Sequence, residues 1–254
     1  GSLIGPDQKP LPIYDEVSRI GVDFAKASPA IAGTEPVSPV AILQDYDSRW
    51  AIDFQKHHED YDQIEVLLDY YRPLKDRLGA VDIVEAAGPL DSYRLVVTPG
   101  LNIITDEMAT HLTEYVRGGG HLILGPRSGL KDAFNRLHLE RQPGPLAELL
   151  GGRVEQFYAL DEAVEVGNGR AEIWAEDLST NDGDTEVILR YGKANGWLDG
   201  HPAALRRAVG EGSITYVGAL VDDAVMDGLI ADAMASAGVQ ADFAVPDGVE
   251  LMTR

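Results

Sequence analysis

The sequence predicts an α/β protein whose central sheet is parallel and covered by helices on both faces. Two observations carry this reading. Short, continuous apolar runs alternate with segments of helical periodicity, as in a sheet buried on both sides. Between about 153 and 210 the texture changes to short alternating runs (RVEQFYAL, EAVEVG, RAEIWAE, TEVILRY) broken by Asn-Gly, Asp-Gly and Gly-Asn pairs. Such pairs are hairpin signals, so this stretch reads as a mostly antiparallel β extension.

Taken in order, PLPIYDEVSRIGVDFAKA reads as a helix, because Ile13, Val17, Ile20 and Phe24 recur at helical spacing and share one face. SPAIAGTEP follows as a linker rich in Pro, Gly, Ser and Thr. PVAIL at 39–43 is the first strand. Residues 61–78 form a helix with Ile64, Leu67, Leu68 and Tyr71 on one face, kinked or restarted at Pro73. AVDIV at 80–84 and YRLVV at 93–97 are the next strands. Thr105 is an N-cap, with Asp106 and Glu107 in the first turn, where the helix dipole favours acids. That helix buries Met108, Leu112, Tyr115 and Val116 and ends at Gly118. HLIL at 121–124 is the fourth strand, and GPLAELLGG a short helix. After the β extension, SITYVGAL at 213–220 is a strand. Residues 222–237 form a helix with Val225, Leu229 and Ala233 on one face, capped by Gly238.

Composition excludes several functions. With 42 acids against 21 bases the formal net charge is -21. A phosphate backbone needs clustered Lys and Arg to displace its counterions, and anionic membrane surfaces need the same, so neither nucleic acid nor membrane is expected as a partner. The bland consequence of the acidity is solubility. No apolar run reaches the roughly 20 residues of a membrane span, and no basic-then-apolar leader is visible. There are no cysteines, which removes disulfides, thiolate metal sites and a cysteine nucleophile, and fits a cytoplasmic protein.

In open α/β sheets, ligands bind beyond the carboxyl ends of the strands. Those ends carry Gln44-Asp45-Tyr46-Asp47-Ser48-Arg49-Trp50, Thr98-Pro99-Gly100-Leu101-Asn102 and Gly125-Pro126-Arg127-Ser128-Gly129. Asp45, Tyr46, Asp47, Arg49, Trp50, Asn102, Arg127 and Ser128 are therefore the candidate rim of a polar crevice or contact surface. Ordinary loop polarity around one packed Trp accounts for the same residues. Ser128 is no hydrolase nucleophile, since the elbow pattern places Ser centrally between glycines and the spacing here is wrong. Gly118-Gly119-Gly120 precedes a strand, whereas a phosphate cradle opens a helix. The six histidines show no metal-ligand spacing, so neither cofactor nor metal is expected. Acids occur about every six residues (254/42), so close carboxylate pairs arise by chance.

Several of these stretches resemble the middle of glycoside hydrolase family 42 beta-galactosidases. The most specific is YRLVVTPGLNIITDEMATHLTEYVRGGGHLILGPRSGLKDAFN followed by PGPLAELLG, with the family's P-R-S-G-x-K-D string. PVAILQDYDSRWAI resembles its first strand and D-Y-x-S-x-W-A loop, carried here by Asp45, Tyr46, Ser48, Trp50 and Ala51. DYYRPLKDRLGAVDIV, AEIWAEDL and GEGSITYVGALVDD are similar to further elements. GPDQKPLPIYDEVSRIG is similar to the end of the catalytic barrel, and VPDGVELMTR to the entry into a small C-terminal β-domain.

The resemblance implies a flavodoxin-like (class I glutamine amidotransferase-like) doubly wound sheet over 36–245. It also implies a terminal barrel helix and linker over 3–35 and the start of a C-terminal β-domain over 246–254. It implies a homotrimer, and a partner barrel outside this chain that carries both catalytic glutamates of a retaining hydrolase. No catalytic residue carries over, so the chain alone is expected to be inactive. The alternative is a stand-alone amidotransferase-like or sugar-binding module. Glutamine amidotransfer requires a cysteine nucleophile, and this sequence has none.

Overall fold

The structure, a computed structural model, describes residues 2–181, 183–193, 196–240, 249 and 252–254. The chain divides into two compact units, Gly1–Val37 with Met252–Arg254, and Ser38–Leu251. The strand expected at the end of the chain falls mostly outside the described residues.

In the first unit, α1 spans Tyr14–Ile31 and runs through Pro29, so the expected linker starts later than its composition indicates. Pro29 has no N–H to give the Ala25 carbonyl, and the helix ends two residues later at Ile31. The stripe of Ile13, Val17, Ile20 and Phe24 is present but uncovered: no residue of α1 is buried. The Arg254 guanidinium donates to the Thr34 carbonyl at 2.9 Å, and the Val37 N–H to the Thr253 carbonyl at 3.0 Å.

The second unit is built on a seven-stranded sheet. Its first elements are β1 (Val40–Gln44), α2 (Tyr46–Phe54), α3 (Gln63–Leu78), β2 (Asp82–Glu85), β3 (Leu95–Thr98), α4 (Asp106–Arg117), β4 (His121–Leu124) and α5 (Ala147–Leu150). The β extension supplies β5 (Gly152–Ala159), β6 (Val164–Val166), β7 (Gly169–Thr180), β8 (Thr185–Arg190) and β9 (Pro202–Val209). The chain then returns through β10 (Gly212–Val217), β11 (Ala219–Val221) and α6 (Asp223–Ser236). The large sheet has the order β2-β1-β3-β4-β10-β9-β8. Strands β2 to β10 in that order are parallel, whereas β9 and β8 are antiparallel. A second sheet, β11-β7-β5 with β6 on β7, is antiparallel throughout. The antiparallel character expected from the hairpin signals is therefore observed, but part of that stretch extends the main sheet.

Alternation along the strands feeds two cores. Val40, Ile42, Leu95, Val97 and Ile123 face α3, α6 and the second sheet. Ala41, Leu43, Val96, Leu122 and Leu124 face α4 and α5. Both faces are thus covered, which is why β1, β3 and β4 read as unbroken apolar runs. The caps follow from sequence. Asp62, Thr105 and Asp222 each accept a first-turn N–H, from Ile64, Met108 and Val225.

Two helical faces differ from expectation. α3 buries Val66, Leu67, Tyr70 and Leu74, while Ile64, Leu68 and Tyr71 are only half-buried. It continues through Pro73 without a break. In α4, Ala109, Leu112 and Val116 are buried and Met108 and Tyr115 flank them. No helix among the described residues is long and apolar enough to cross a membrane.

Candidate functional site

The stretch after β1, expected as a rim loop, is the helix α2. Asp45 is its N-cap, its carboxylate accepting the Ser48 N–H at 2.7 Å. Ser48 faces inward, and its hydroxyl accepts the Ile103 N–H at 2.9 Å. Ala51 and Ile52 are buried beside it. Helical geometry then forces Tyr46, Trp50 and Phe54, spaced by four, along the outer face. They are 60%, 62% and 89% exposed, and the first two rings lie 5.9 Å apart. Asp47 is exposed, and Arg49 pairs with Asp53 one turn on at 3.7 Å.

The other three candidates lie beneath this surface. Asn102 is fully buried and donates to the Arg127 carbonyl at 3.0 Å. Ser128 donates to the Gly125 carbonyl at 2.7 Å and accepts the Leu101 N–H, which ties the ends of β3 and β4 together. Gly125 permits that approach, since any Cβ there would collide with the Pro99 carbonyl.

Arg127 is the organising residue. Its backbone is left-handed at φ 65°, a conformation unusual for a non-glycine residue. That turn sends the side chain inward, where 1% of the residue remains exposed. The guanidinium lies between the rings of Tyr61 and Trp174, 4.9 and 4.8 Å from their centroids. Its two terminal nitrogens donate to the carbonyls of Gln55 and Lys56 at 2.8 and 2.9 Å. Those carbonyls lie just past α2, Gln55 being its C-cap, so a buried cation sits beyond the helix's C-terminal end.

Glu176 balances this charge. It is fully buried and accepts from the Arg127 N–H at 3.0 Å, the Trp174 indole at 3.0 Å and the Tyr216 hydroxyl at 2.8 Å. Burial pushes its carboxyl up to about 7, against those donors and the nearby guanidinium, which pull it down. Burial likewise lowers Arg127 and, with Arg127 and Lys131 as neighbours, lowers His57. Trp174 stacks on Phe157 at 4.9 Å. Of this group only Arg127 stood out in the sequence. A detectable signal did exist: Trp174 and Glu176 are two apart in an alternating strand, hence on one face.

The region therefore has two layers. The lower one is a buried guanidinium and a buried carboxyl set among aromatics, the carboxyl accepting the Arg127 backbone N–H and the guanidinium donating to the two carbonyls, which fixes loop positions. The upper one is an exposed aromatic stripe on a helix pinned at both ends. Such a surface suits contact with a sugar ring or another protein surface. Among the described residues no group of three His, Asp or Glu is placed to hold a metal ion.

Residues 38–240 match the family model described as the beta-galactosidase trimerisation domain. The chain belongs to that family. Beta-galactosidase Bga of Halorubrum lacusprofundi is 34% identical over 256 residues, a match covering 94% of this chain and 36% of that protein. Beta-galactosidase BgaH of Haloferax lucentense is 38% identical over 221 residues, covering 85% and 33%. The solved beta-galactosidase structure from Halorubrum lacusprofundi superposes with a TM-score of 0.86 at 34% identity, over 98% of this chain and 37% of that one. The structure from Bacillus circulans sp. alkalophilus reaches 0.90 at 22% identity over 99% and 39%, a likeness of fold. The trimerisation domain thus spans about a third of the length of these relatives. A stand-alone amidotransferase-like or sugar-binding module is not favoured by these matches.

Proposed function

We propose that this trimerisation domain joins three copies of a beta-galactosidase that hydrolyses terminal beta-D-galactosides, with the reaction carried out by a barrel outside this chain. The observation that carries the reading is the family match over 38–240 in a chain that spans about a third of its relatives. The parallel order β2-β1-β3-β4-β10 supports a flavodoxin-like assignment, because it corresponds to the 2-1-3-4-5 order of that fold.

Within this reading, the outer face of α2 walls the sugar pocket of a neighbouring barrel. Tyr46 and Trp50 stand free at the carboxyl ends of the strands, where such sheets meet ligands, and Asp45 and Arg127 hold their helix rigid. In the intact enzyme, Trp50→Ala should raise KM for a nitrophenyl galactoside several-fold while leaving the melting temperature unchanged. An unaltered KM sinks the wall assignment. Turnover by this chain alone, lost on mutation of one of its own acids, sinks the division of labour.

A further inference from the structure

Among the described residues five non-glycine residues have a positive φ, and three of them stand around Trp174. His57 is at 68°, Arg127 at 65° and Ile173, the residue before Trp174 in β7, at 67°. A left-handed backbone is costly away from glycine, most of all for a β-branched residue, and persists only where the surrounding packing dictates it. Three such positions about one indole mark a place where the fold imposes strain.

The Arg127 guanidinium lies 4.8 Å from the Trp174 centroid, Phe157 stacks on the indole at 4.9 Å, and Tyr61 meets it edge-on at 5.9 Å. The His57 ring closes the group, edge-on to Phe157 at 5.4 Å and 5.9 Å from Trp174. Trp174 is 2% exposed, whereas His57 is open to solvent. The two carbonyls that Arg127 holds belong to Gln55 and Lys56, immediately before His57. One backbone turn therefore fixes both the imidazole on the aromatics and the carbonyls on the cation.

The charges around that imidazole are of one sign. Arg127 and the buried Lys131 come from the segment after β4, and with burial as the larger cause they hold His57 below the ordinary histidine value. On β7, Glu176 is turned to the Arg127 N–H, the indole and the Tyr216 hydroxyl. In its own loop, His58 is engaged with Asp60, whose N–H it accepts at 3.1 Å. A proton is thus taken up more readily once the ring has left this site than while it occupies it. By linkage, the seated ring is favoured above the ordinary histidine range and is driven out as pH falls below it.

We propose that His57 is a proton-driven latch on the C-terminal end of α2. Neutral, its ring lies on Phe157 and Trp174 and keeps the Gln55 and Lys56 carbonyls on Arg127. Protonated by solvent, it leaves that site, relaxes its left-handed turn and frees loop 55–61 together with the end of α2 that carries Trp50 and Phe54. Opening of this kind is local and leaves the sheet and its two cores in place. The latch stands whatever surface α2 meets in the intact enzyme.

The chain has three tryptophans, so Trp50→Phe with Trp197→Phe, both at exposed positions, leaves Trp174 as the single reporter. In that background the bimolecular acrylamide quenching constant of Trp174 should rise at least threefold between pH 7.5 and pH 5. Hydrogen-exchange protection factors over 46–61 should fall at least tenfold across the same range, while circular dichroism keeps its folded form. His57→Phe keeps a ring on Phe157 and Trp174 but takes no proton, and should abolish both responses. Lys131→Met removes one of the two cations and should shrink them; it also serves if His57→Phe fails to fold. A wild type whose Trp174 stays equally shielded at both pH values overturns the latch. So does a response that persists undiminished in His57→Phe or in Lys131→Met, since another group would then be the one that titrates.

Discussion

Arg127→Ala should be among the most destabilising single substitutions in the second unit. The guanidinium makes two hydrogen bonds to the Gln55 and Lys56 carbonyls just past α2, lies between two aromatic rings and stands beside the buried Glu176. Truncation leaves the Gln55 and Lys56 carbonyls without their donors and a void between the two rings, which together cost about 3–5 kcal/mol. Alanine gives no offsetting relief, since it is as strained as arginine at φ 65°. For a chain of this size about 1 kcal/mol shifts Tm by roughly 2–4 °C, so a fall of about 6–20 °C is expected. Urea titration gives the energy directly. Hydrogen exchange should show extra opening over 46–54, the helix whose end is uncapped. Adding Glu176→Gln to the variant should recover about 1–3 kcal/mol, because the orphaned acid is gone. A loss under about 1 kcal/mol, or additive behaviour in the double variant, would refute the view that Arg127 and Glu176 act as one buried unit.

Two further outcomes follow from the same geometry. The Glu176 carboxyl is raised in the folded state, so the fold binds its proton more tightly than the unfolded chain does. That contribution is complete below the ordinary carboxyl range and is lost as pH rises through about 7. Wild type should therefore lose stability relative to Glu176→Gln between about pH 5 and 8, by roughly 3 kcal/mol at most. A flat difference in urea titrations across that range would mean that Arg127 keeps the carboxylate ionised throughout. Gly125→Ala should cost about 2–3 kcal/mol by driving a Cβ into the Pro99 carbonyl, and a melting curve like that of wild type would contradict this packing.

Much of the second unit is legible in the sequence because its sheet is buried on both faces. Continuous apolar runs then mark strands with little ambiguity, and HLIL at 121–124 is β4 residue for residue. Thr105 and Gly118 bracket α4 as their chemistry requires. α2 is harder to see. Over its nine residues only Ser48, Ala51 and Ile52 are buried, and a polar DYDSR string reads as a loop unless Asp45 is recognised as a cap. The phase of α3 is set by packing. The Val66, Tyr70 and Leu74 spacing competes with the Ile64, Leu68 and Tyr71 spacing, and only the tertiary contacts choose between them.

At the rim, sequence locates residues at strand ends but not the direction of their side chains. Arg127 turns inward through a left-handed backbone, and Trp50 turns outward through helical phase. Glu176 is invisible among 42 acids until the fold buries it.

The central claim is that this chain carries the information for assembly. Sedimentation equilibrium of the wild-type chain, across protein concentration and from low to moderate salt, tests it most directly. The mass should approach three times 27.4 kDa. The association should strengthen as salt rises, because a net charge of -21 per copy opposes it and the Debye length shortens to about 8 Å at physiological ionic strength. A single species of 27.4 kDa at high concentration in moderate salt would contradict the claim.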